Sequence, residues 1–316
     1  MRVFRSIQET PYQDNSYITT GTFDGIHLGH RKIIEELVWK AEQKKCRCVL
    51  VTFFPHPQTV VRSRKVPIEL LTPLDEKLNI LEESGLDVVL VVPFTQELAR
   101  TDPKTFVKDI LIRVVGIRGF IIGYNHAFGS QRRGSAELLK ELGQQFVFSV
   151  DVVEPVEIEG KAVSSTRIRD HLKKGMIRQG NRLLGRNYSL EGTVKKGKSL
   201  GGKKLGFPTA NIDVNEKKKL IPGDGVYAVM VHVISDRLPG MANIGYNPTL
   251  EGTRREIEVH IHNFSGDIYD KKLKVEFIDR IRDEKQFDSI ENLVTQIELD
   301  RKMSIELLSK NTYHGR

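Results

Sequence analysis

Residues 21–30 read Gly21-Thr22-Phe23-Asp24-Gly25-Ile26-His27-Leu28-Gly29-His30. This segment follows the β-branched run 17–20 and precedes an amphipathic run that begins near His30, so it predicts a strand that turns into a helix. Glycines let backbone amides approach a ligand closely, and the N-terminus of a helix attracts phosphate groups. Two histidines at this point are suited to donating hydrogen bonds to a nucleoside triphosphate. The alternative is a glycine-rich turn with two incidental surface histidines.

The composition is that of a globular protein. The chain has 316 residues, of which 39% are hydrophobic and 28% charged, and this predicts about two domains and excludes wholesale disorder. No apolar run approaches the roughly 20 residues that span a bilayer, and the N-terminus lacks the apolar core of a signal peptide. We therefore expect a cytoplasmic protein with no membrane partner. We expect Cys46 and Cys48 to be reduced packing residues on one strand face, not a disulfide or a zinc site.

The charge balance is basic, with a formal net charge of +8 and a pI of about 9.3. Such a balance is compatible with nucleic acid, a membrane surface or phosphorylated small molecules. The lysine clusters at 195–198, 203–204 and 217–219 lie near glycine and proline and lack interleaved aromatic residues that would stack on bases. We expect solvated loop charge, part of which faces a polyphosphate, and no nucleic-acid partner. We also expect a monomer or a weak homo-oligomer.

The first half of the chain alternates short β-branched runs with helical patterns. Strands are predicted over 47–54, 87–92 and 120–122, and helices over 74–83, 102–115 and 135–142. This alternation is typical of an α/β, Rossmann-like domain with a parallel sheet. Ligands bind beyond the carboxyl ends of such strands, and four polar clusters follow the predicted strands, at 21–30, 54–57, 123–129 and 164–169. These four clusters together predict a single ligand-binding site.

The pattern changes near Gly185, which is suited to ending a helix. Short strands are then predicted over 188–195, 226–234, 241–244, 256–262 and 273–278, followed by a helix over about 289–308. Several short strands at this spacing predict a small antiparallel β-barrel with a C-terminal helix. We therefore predict two domains, 1–185 and 186–316.

The chemistry of the first domain is predicted to be nucleotidyl transfer. Zinc is disfavoured, because further Cys, His or carboxylate ligands lie far from the two histidines in sequence. Transfer of a nucleotidyl group needs positioning and charge stabilisation at an α-phosphate. Ser165 and Thr166 predict a helix N-terminus that presents Arg167 and Arg169 to the leaving phosphates. An ordinary helix cap with exposed arginines is the alternative.

These motifs resemble a known family. G-x-F-D-G-x-H-x-G-H and S-S-T-x-I-R are similar to the nucleotidylyltransferase module of the prokaryotic bifunctional riboflavin kinase/FAD synthetases, whose second and third motifs resemble 54–57 and 123–129. The resemblance implies that His27 and His30 stabilise the transition state and that the flavin lies near Phe54, His56 and Pro57. It implies nucleotide binding by Gly21, Thr22, Phe23, Asp24, Gly25, Gly29, Asn125, Ser165, Thr166, Arg167 and Arg169. Asn125 stands where Asp is common.

The second domain contains the segment 206–211, which reads Gly206-Phe207-Pro208-Thr209-Ala210-Asn211. Thr209 and Asn211 offer hard oxygen ligands on alternate residues, which suit a Mg²⁺ ion shared with ATP phosphates. An edge-strand proline followed by polar turn residues is the alternative. The nearby run 197–204 is no Walker motif, because it lacks the Ser or Thr that holds magnesium and a strand–helix context.

The segment 206–211 resembles the G-x-P-T-x-N signature of the riboflavin kinase barrel, and 243–249 and 282–287 resemble two more of its segments. The resemblance implies that Glu258 is the catalytic base, with Glu256 as the alternative. Thr209 and Asn211 are implied to contact magnesium and nucleotide. ATP or flavin contacts are implied for Lys203, Gly206, Pro208, Arg282 and Phe287. Gly201 departs from the family, because relatives often carry Arg there.

Together these observations predict a two-step enzyme. The barrel is expected to phosphorylate riboflavin with ATP to give FMN, and the α/β domain to join FMN to AMP from a second ATP, giving FAD. Two alternatives remain open at the sequence level. One is a relic with an inactive module, and the other is a flavin- or RNA-binding regulator on the same scaffold.

Overall fold

A computed structural model of the chain describes residues 1–61, 68–124, 135–195, 207–246 and 255–311. Contacts between Cα atoms divide it into two compact units, Met1–Ser165 and Thr166–Arg316. None of the helices in the described ranges combines the length and the apolarity that crossing a bilayer requires.

The first unit is built on six parallel strands. They are β1 (Arg2–Phe4), β2 (Ser16–Thr20), β3 (Arg47–Phe54), β4 (Val88–Pro93), β5 (Ile117–Gly123) and β6 (Ser149–Val153). In the sheet they lie in the order β1-β4-β3-β2-β5-β6, and each neighbouring pair is parallel. A short hairpin, β7 (Glu157–Ile158) and β8 (Lys161–Ala162), follows. The predicted parallel α/β sheet is confirmed.

Helices connect these strands. They are α1 (Leu28–Gln43), α2 (Pro57–Val60), α3 (Leu74–Glu82), α4 (Gln96–Arg100), α5 (Pro103–Phe106) and α6 (Ala136–Phe146). After α5 the chain continues as a π-helix over Val107–Val115, where the sequence predicts one α-helix to about Val115. Positions 107, 110, 111 and 115 are buried. Over two turns this spacing fits either helix type, so the pattern does not separate them.

The sheet is apolar on both faces because helices cover both. Val49, Val51 and Phe120 pack into the core on one face, whereas Leu50 and Ile121 pack into the core on the other. The chain runs from β2 to β3 and β4 on one side and returns to the other side of β2 at β5. Sheets of this kind bind ligands at the carboxyl ends of the two strands where the order reverses, which are β2 and β5 here.

The second unit begins at Thr166, one residue into α7 (Ser165–Lys173), and continues with α8 (Ile177–Leu184), six antiparallel strands and a C-terminal helix (Ile290–Asn311). The strands are β9 (Tyr188–Lys195), β10 (Ala210–Val214), β11 (Gly225–Val233), β12 (Asp236–Tyr246), β13 (Arg255–Ile261) and β14 (Lys272–Arg282). They close into a barrel in the order β10-β13-β12-β11-β14-β9. The barrel and its helix are as predicted, except that β10 was not expected as a strand, since Pro208 and alternating polar residues obscure it.

The C-terminal helix packs on the outside of the barrel. Leu308 contacts a small cluster formed by Ala228 and Ile278. His262 lies 3.2 Å, measured from Nε2, from the Ser304 hydroxyl, which donates to the Gly240 carbonyl at 2.8 Å. The ring N–H therefore donates to the hydroxyl oxygen. Burial, with His260 and Arg301 nearby, lowers the pKa of His262 to about 4.

Arg47 joins the amino-terminal ends of the first unit's strands from a buried position. Its guanidinium donates to the Ser16 hydroxyl at 2.9 Å and to the carbonyls of Val115 and Pro11 at 2.8 and 3.0 Å. Burial lowers the pKa of the guanidinium, although Asp87 acts in the opposite direction. The fold tolerates this buried charge because it donates to two buried acceptors, the Ser16 hydroxyl and the Val115 carbonyl.

We predict that Arg47→Met lowers the free energy of unfolding of the first unit by about 2–4 kcal/mol, because the buried Val115 carbonyl and the buried Ser16 hydroxyl each lose a donor. The single tryptophan of the chain, Trp39, lies in α1, so urea unfolding followed by its fluorescence reports on this unit. Lys140→Met, at an exposed site on α6, is the control. A loss for Arg47→Met no larger than that of the control would contradict this role.

The lowered pKa of His262 predicts that the barrel loses stability in acid. Its folded-state pKa of about 4 lies below the ordinary value of 6.5, so the unfolded state takes up the proton first. The stabilisation is present above about pH 6.5 and is lost as pH falls through about 4, by about 2–3 kcal/mol. His262→Gln keeps a donor and does not titrate. On acidification, the free energy of unfolding of His262→Gln, measured by urea unfolding and circular dichroism, should fall less than that of wild type. An equal fall in both proteins would refute the assignment.

Candidate functional site

His27 and His30 lie together where β2 leads into α1. His27 caps the helix, and its Nδ1 accepts the backbone N–H of His30 at 3.3 Å. The two rings are stacked, with centroids 3.7 Å apart and planes inclined by 17°. A Cβ atom on Gly29 would lie 3.2 Å from Cε1 of His27, so glycine leaves room for this ring. Because Nδ1 accepts, the neutral His27 ring carries its proton on Nε2.

The loop before α1 has an unusual backbone. Phe23 and Ile26 have φ angles of 45° and 38°, in the left-handed region, and Gly25 has 93°. A bulky or β-branched residue rarely adopts this conformation, and strain of this kind collects at functional sites. The ring of Phe23 lies 5.0 Å from that of His30, between centroids, so the strained residue also packs against the histidine pair.

Asp24 holds this loop from inside. It is 1% exposed, and its carboxylate accepts the backbone N–H groups of Leu71 and Thr72 at 2.9 and 3.0 Å. The Thr72 hydroxyl in turn accepts the N–H of Gly25 at 2.8 Å. The sequence prediction groups Asp24 with the nucleotide ligands, whereas the geometry shows a carboxylate that organises the loop.

The segment 164–169 meets the same loop at its first helical residue. The Ser165 hydroxyl donates to the carbonyl of Asp24 at 2.7 Å, so the start of α7 lies against the loop. Thr166 is exposed, and Arg167 and Arg169 are half-buried on α7, in the part of the chain whose contacts lie in the second unit.

The remaining candidates of the first unit follow β3 and β5. Phe54 is 47% exposed at the end of β3. His56 caps α2 by accepting the N–H of Gln58 at 3.2 Å, and Pro57 is the first residue of that helix. Asn125 lies outside the described residues. The ends of β2 and β3 thus carry the histidine loop and the predicted flavin segment on adjacent strands.

In the barrel, three polar residues form a row across neighbouring strands. Glu258 on β13 is paired with Asn211 on β10 on one side and with Asn243 on β12 on the other. Directly paired side chains lie about 5 Å apart on one sheet face. Glu258 is half-buried, and burial, together with the charge of Glu256, raises the pKa of Glu258. The row brings together the predicted base and one predicted metal ligand.

Thr209 is held near this row through a histidine that the sequence prediction assigns no role. His260 Nδ1 lies 2.9 Å from the carbonyl oxygen of Pro208, and its ring meets Phe207 edge-on at 5.5 Å between centroids. His260 and Glu258 share a strand face, because they are two residues apart on β13. Lys203 and Gly206, and also Gly201, lie outside the described residues.

A cavity of about 380 Å³ opens beside Thr209. Val194, Val259 and Ile261 form apolar walls, and the segment from Phe264 to Tyr269 forms the opposite side. Sequence reasoning missed this segment, because Ser265-Gly266-Asp267 reads only as a turn signal.

Arg282 and Phe287 lie at the end of β14 and in the segment after it. The Arg282 guanidinium makes a two-pronged ion pair with Asp300 of the C-terminal helix, with N–O distances of 2.9 and 2.7 Å. It also lies over the Phe287 ring, 5.8 Å from the centroid. Arg282 therefore anchors the helix and orients Phe287.

The donors available for magnesium fit a shared ion better than a closed protein site. No group of three His, Cys, Asp or Glu side chains that would hold a metal is found in the described part of the chain. Thr209 and Asn211 are half-buried and offer hard oxygens, and Asn211 is paired with Glu258 on the neighbouring strand. Mg²⁺ takes few protein ligands when phosphates complete its shell, so this donor set suits it.

Comparison with known proteins finds two family models that match different parts of the chain. The family model described as FAD synthetase matches residues 9–167, and the model described as riboflavin kinase matches residues 184–308. The bifunctional riboflavin kinase/FMN adenylyltransferase of Bacillus subtilis (strain 168) is 35% identical over 300 residues, 94% of each chain. Its namesake from Escherichia coli (strain K12) is 33% identical over 301 residues, 95% of each chain.

The fold also recurs in a solved structure. A crystal structure described as a macrolide-efflux protein from Streptococcus pneumoniae has a TM-score of 0.86 and 29% identity, and the match covers 96% of this chain and 98% of that one. The two family models and the whole-length relatives confirm the resemblance seen in the motifs. The chain therefore belongs to the family of bifunctional riboflavin kinases/FMN adenylyltransferases.

Proposed function

We propose that the two reactions of this bifunctional enzyme are divided between its two units. The barrel converts riboflavin and ATP into FMN and ADP, and the α/β unit converts FMN and a second ATP into FAD and pyrophosphate. The observation that carries the first assignment is the Asn211–Glu258–Asn243 row. The second rests on the stacked histidines at the helix N-terminus. The kinase module is proposed to begin near residue 185, between the two family matches.

In adenylyl transfer, the FMN phosphate attacks the α-phosphorus of ATP in line, and pyrophosphate leaves. His27 and His30 donate hydrogen bonds to the phosphate oxygens on which charge grows. Their stacking and the buried Asp24 anchor hold both rings before substrate arrives, so little reorganisation is needed during reaction. Ser165 holds the backbone of the loop before α1 through the Asp24 carbonyl. From the sequence motif alone, phosphate contacts are proposed for Thr166, Arg167 and Arg169.

In the kinase step, Glu258 takes the proton from the terminal ribityl hydroxyl of riboflavin as that oxygen attacks the γ-phosphorus of ATP. The raised pKa of Glu258 makes its carboxylate a stronger base than an exposed glutamate. Thr209 and Asn211 are proposed to hold Mg²⁺, which neutralises phosphate charge when bound. His260 holds the Pro208 carbonyl and so orients the segment that carries Thr209.

The cavity beside Thr209 is proposed to take the adenine of this ATP. Its apolar walls suit a flat base, and Asp267 and Tyr269 offer polar groups for orientation. We also infer a cytoplasmic location, which matches two free cysteines and a need for ATP.

We predict that His30→Ala strongly slows FAD formation and leaves FMN formation intact. Loss of charge stabilisation at the α-phosphate should lower the rate of FAD formation by about 100-fold or more. The assay incubates the enzyme with riboflavin, ATP and magnesium and separates the flavins by chromatography. Parallel loss of both products would contradict separate sites, and a wild-type enzyme that forms neither product would refute the function.

The reciprocal prediction concerns Glu258→Gln, which keeps the size of the side chain and removes the base. The rate of FMN formation should fall by about 100-fold to 10,000-fold, whereas supplied FMN should still be converted into FAD at the wild-type rate. Glu256→Gln is the matched control on the same strand face. If Glu256→Gln loses kinase activity and Glu258→Gln keeps it, the base is Glu256.

A further inference from the structure

Lys77 is a buried cation that the proposed mechanism does not use. It lies on α3 in the first unit and is 5% exposed. Its Nζ donates to the carbonyl oxygen of Thr22 at 2.6 Å and lies 3.4 Å from the Thr52 hydroxyl. Thr22 follows β2, and Thr52 lies near the end of β3. The ammonium thus joins the carboxyl ends of two adjacent strands, beneath the loop that leads to the histidine pair.

This charge is costly for the fold. Burial lowers the pKa of Lys77 to about 8, although the nearby Asp24 carboxylate acts in the opposite direction. The two groups that it contacts, a carbonyl and a hydroxyl, are neutral. Replacing a buried charge by an apolar side chain of similar volume is often neutral or stabilising. A methionine side chain would pack equally well at this position, so packing does not explain the presence of a charge.

The position of Thr22 supplies that explanation. Thr22 directly precedes Phe23, whose φ of 45° begins the strained part of the loop. Asp24, two residues further along, is anchored by the amides of Leu71 and Thr72. The loop is therefore held at two alternate residues by the single stretch 71–77. The positive charge of the protonated Lys77 ammonium also favours phosphate groups bound at these strand ends.

We propose that Lys77 is a positioning residue for adenylyl transfer, which fixes Thr22 and with it the loop that carries His27 and His30. In this role Lys77 does not touch the substrate. Its ammonium holds the loop backbone in the conformation that aims the two rings, and its charge adds to the attraction for the phosphates. The proposal rests on the proposed function of the histidine pair.

The test variant is Lys77→Met, which keeps chain length and removes both the hydrogen bond and the charge. We expect kcat for FAD formation from FMN to fall by about tenfold or more, with KM values for FMN and ATP changed less than about threefold. Riboflavin phosphorylation by the same molecule should be unchanged, which provides an internal control. The melting temperature of the first unit, followed by Trp39 fluorescence, should equal or exceed that of wild type.

Leu81→Ala is the matched control, because Leu81 is fully buried on the same helix and belongs to the core on that face of the sheet. It should lower the melting temperature and leave kcat near that of wild type. If Lys77→Met does not fold, Lys77→Gln is measured against the same criteria. Wild-type kcat in the Lys77 variant, or a joint fall in kcat and melting temperature, overturns the proposal. If His30→Ala keeps FAD synthesis while Lys77→Met loses it, the histidine assignment fails and the importance of Lys77 stands.

Discussion

The buried carboxylate of Asp24 is the constraint on which the first unit's site depends. The seven-residue loop 21–27 between a central strand and a helix exposes backbone amides that need partners, and left-handed conformations at Phe23 and Ile26 need support from outside the loop. Asp24 supplies it by accepting amides from Leu71 and Thr72, and Ser165 adds a contact from the start of α7. These contacts hold the loop and therefore fix the positions of the two histidine rings.

In the barrel, strand register positions the polar residues of the candidate site. Alternation places Val259 inside and Glu258 outside, and antiparallel pairing sets Asn211 and Asn243 beside the carboxylate on either side. A slip of one residue would turn Glu258 into the core. The C-terminal helix, anchored by Arg282–Asp300 and His262–Ser304, covers another part of the same outer surface. Both units therefore use a rigid scaffold to present a few polar groups, although the scaffolds share no topology.

Much of the fold was predictable from local patterns. The β-branched runs, the helix starts near Asp102 and Ser135 and the helix end at Gly185 depend on near neighbours in sequence, and the structure confirms each of them. The strand β10 was missed, because its pattern of Ala210 and Ile212 alternates with polar residues after a proline. The π-helix was missed, because two turns of buried residues do not distinguish helix types. The cavity wall formed by the segment 264–269 and the contacts of His260 and Lys77 were missed, because each depends on a distant residue.

The sequence by itself determined the two-domain plan, the family and the identity of the candidate residues, because motif spacing and hydrophobic periodicity are local properties of the chain. Only the tertiary structure decided which hydrogen bonds and strand pairings those residues make. Asp24 and Lys77 are 47 and 55 residues away from the groups they bind, and Asn211 meets Glu258 only through strand pairing. Hydrogen bonds across such separations depend on sheet order and register, which no local pattern specifies.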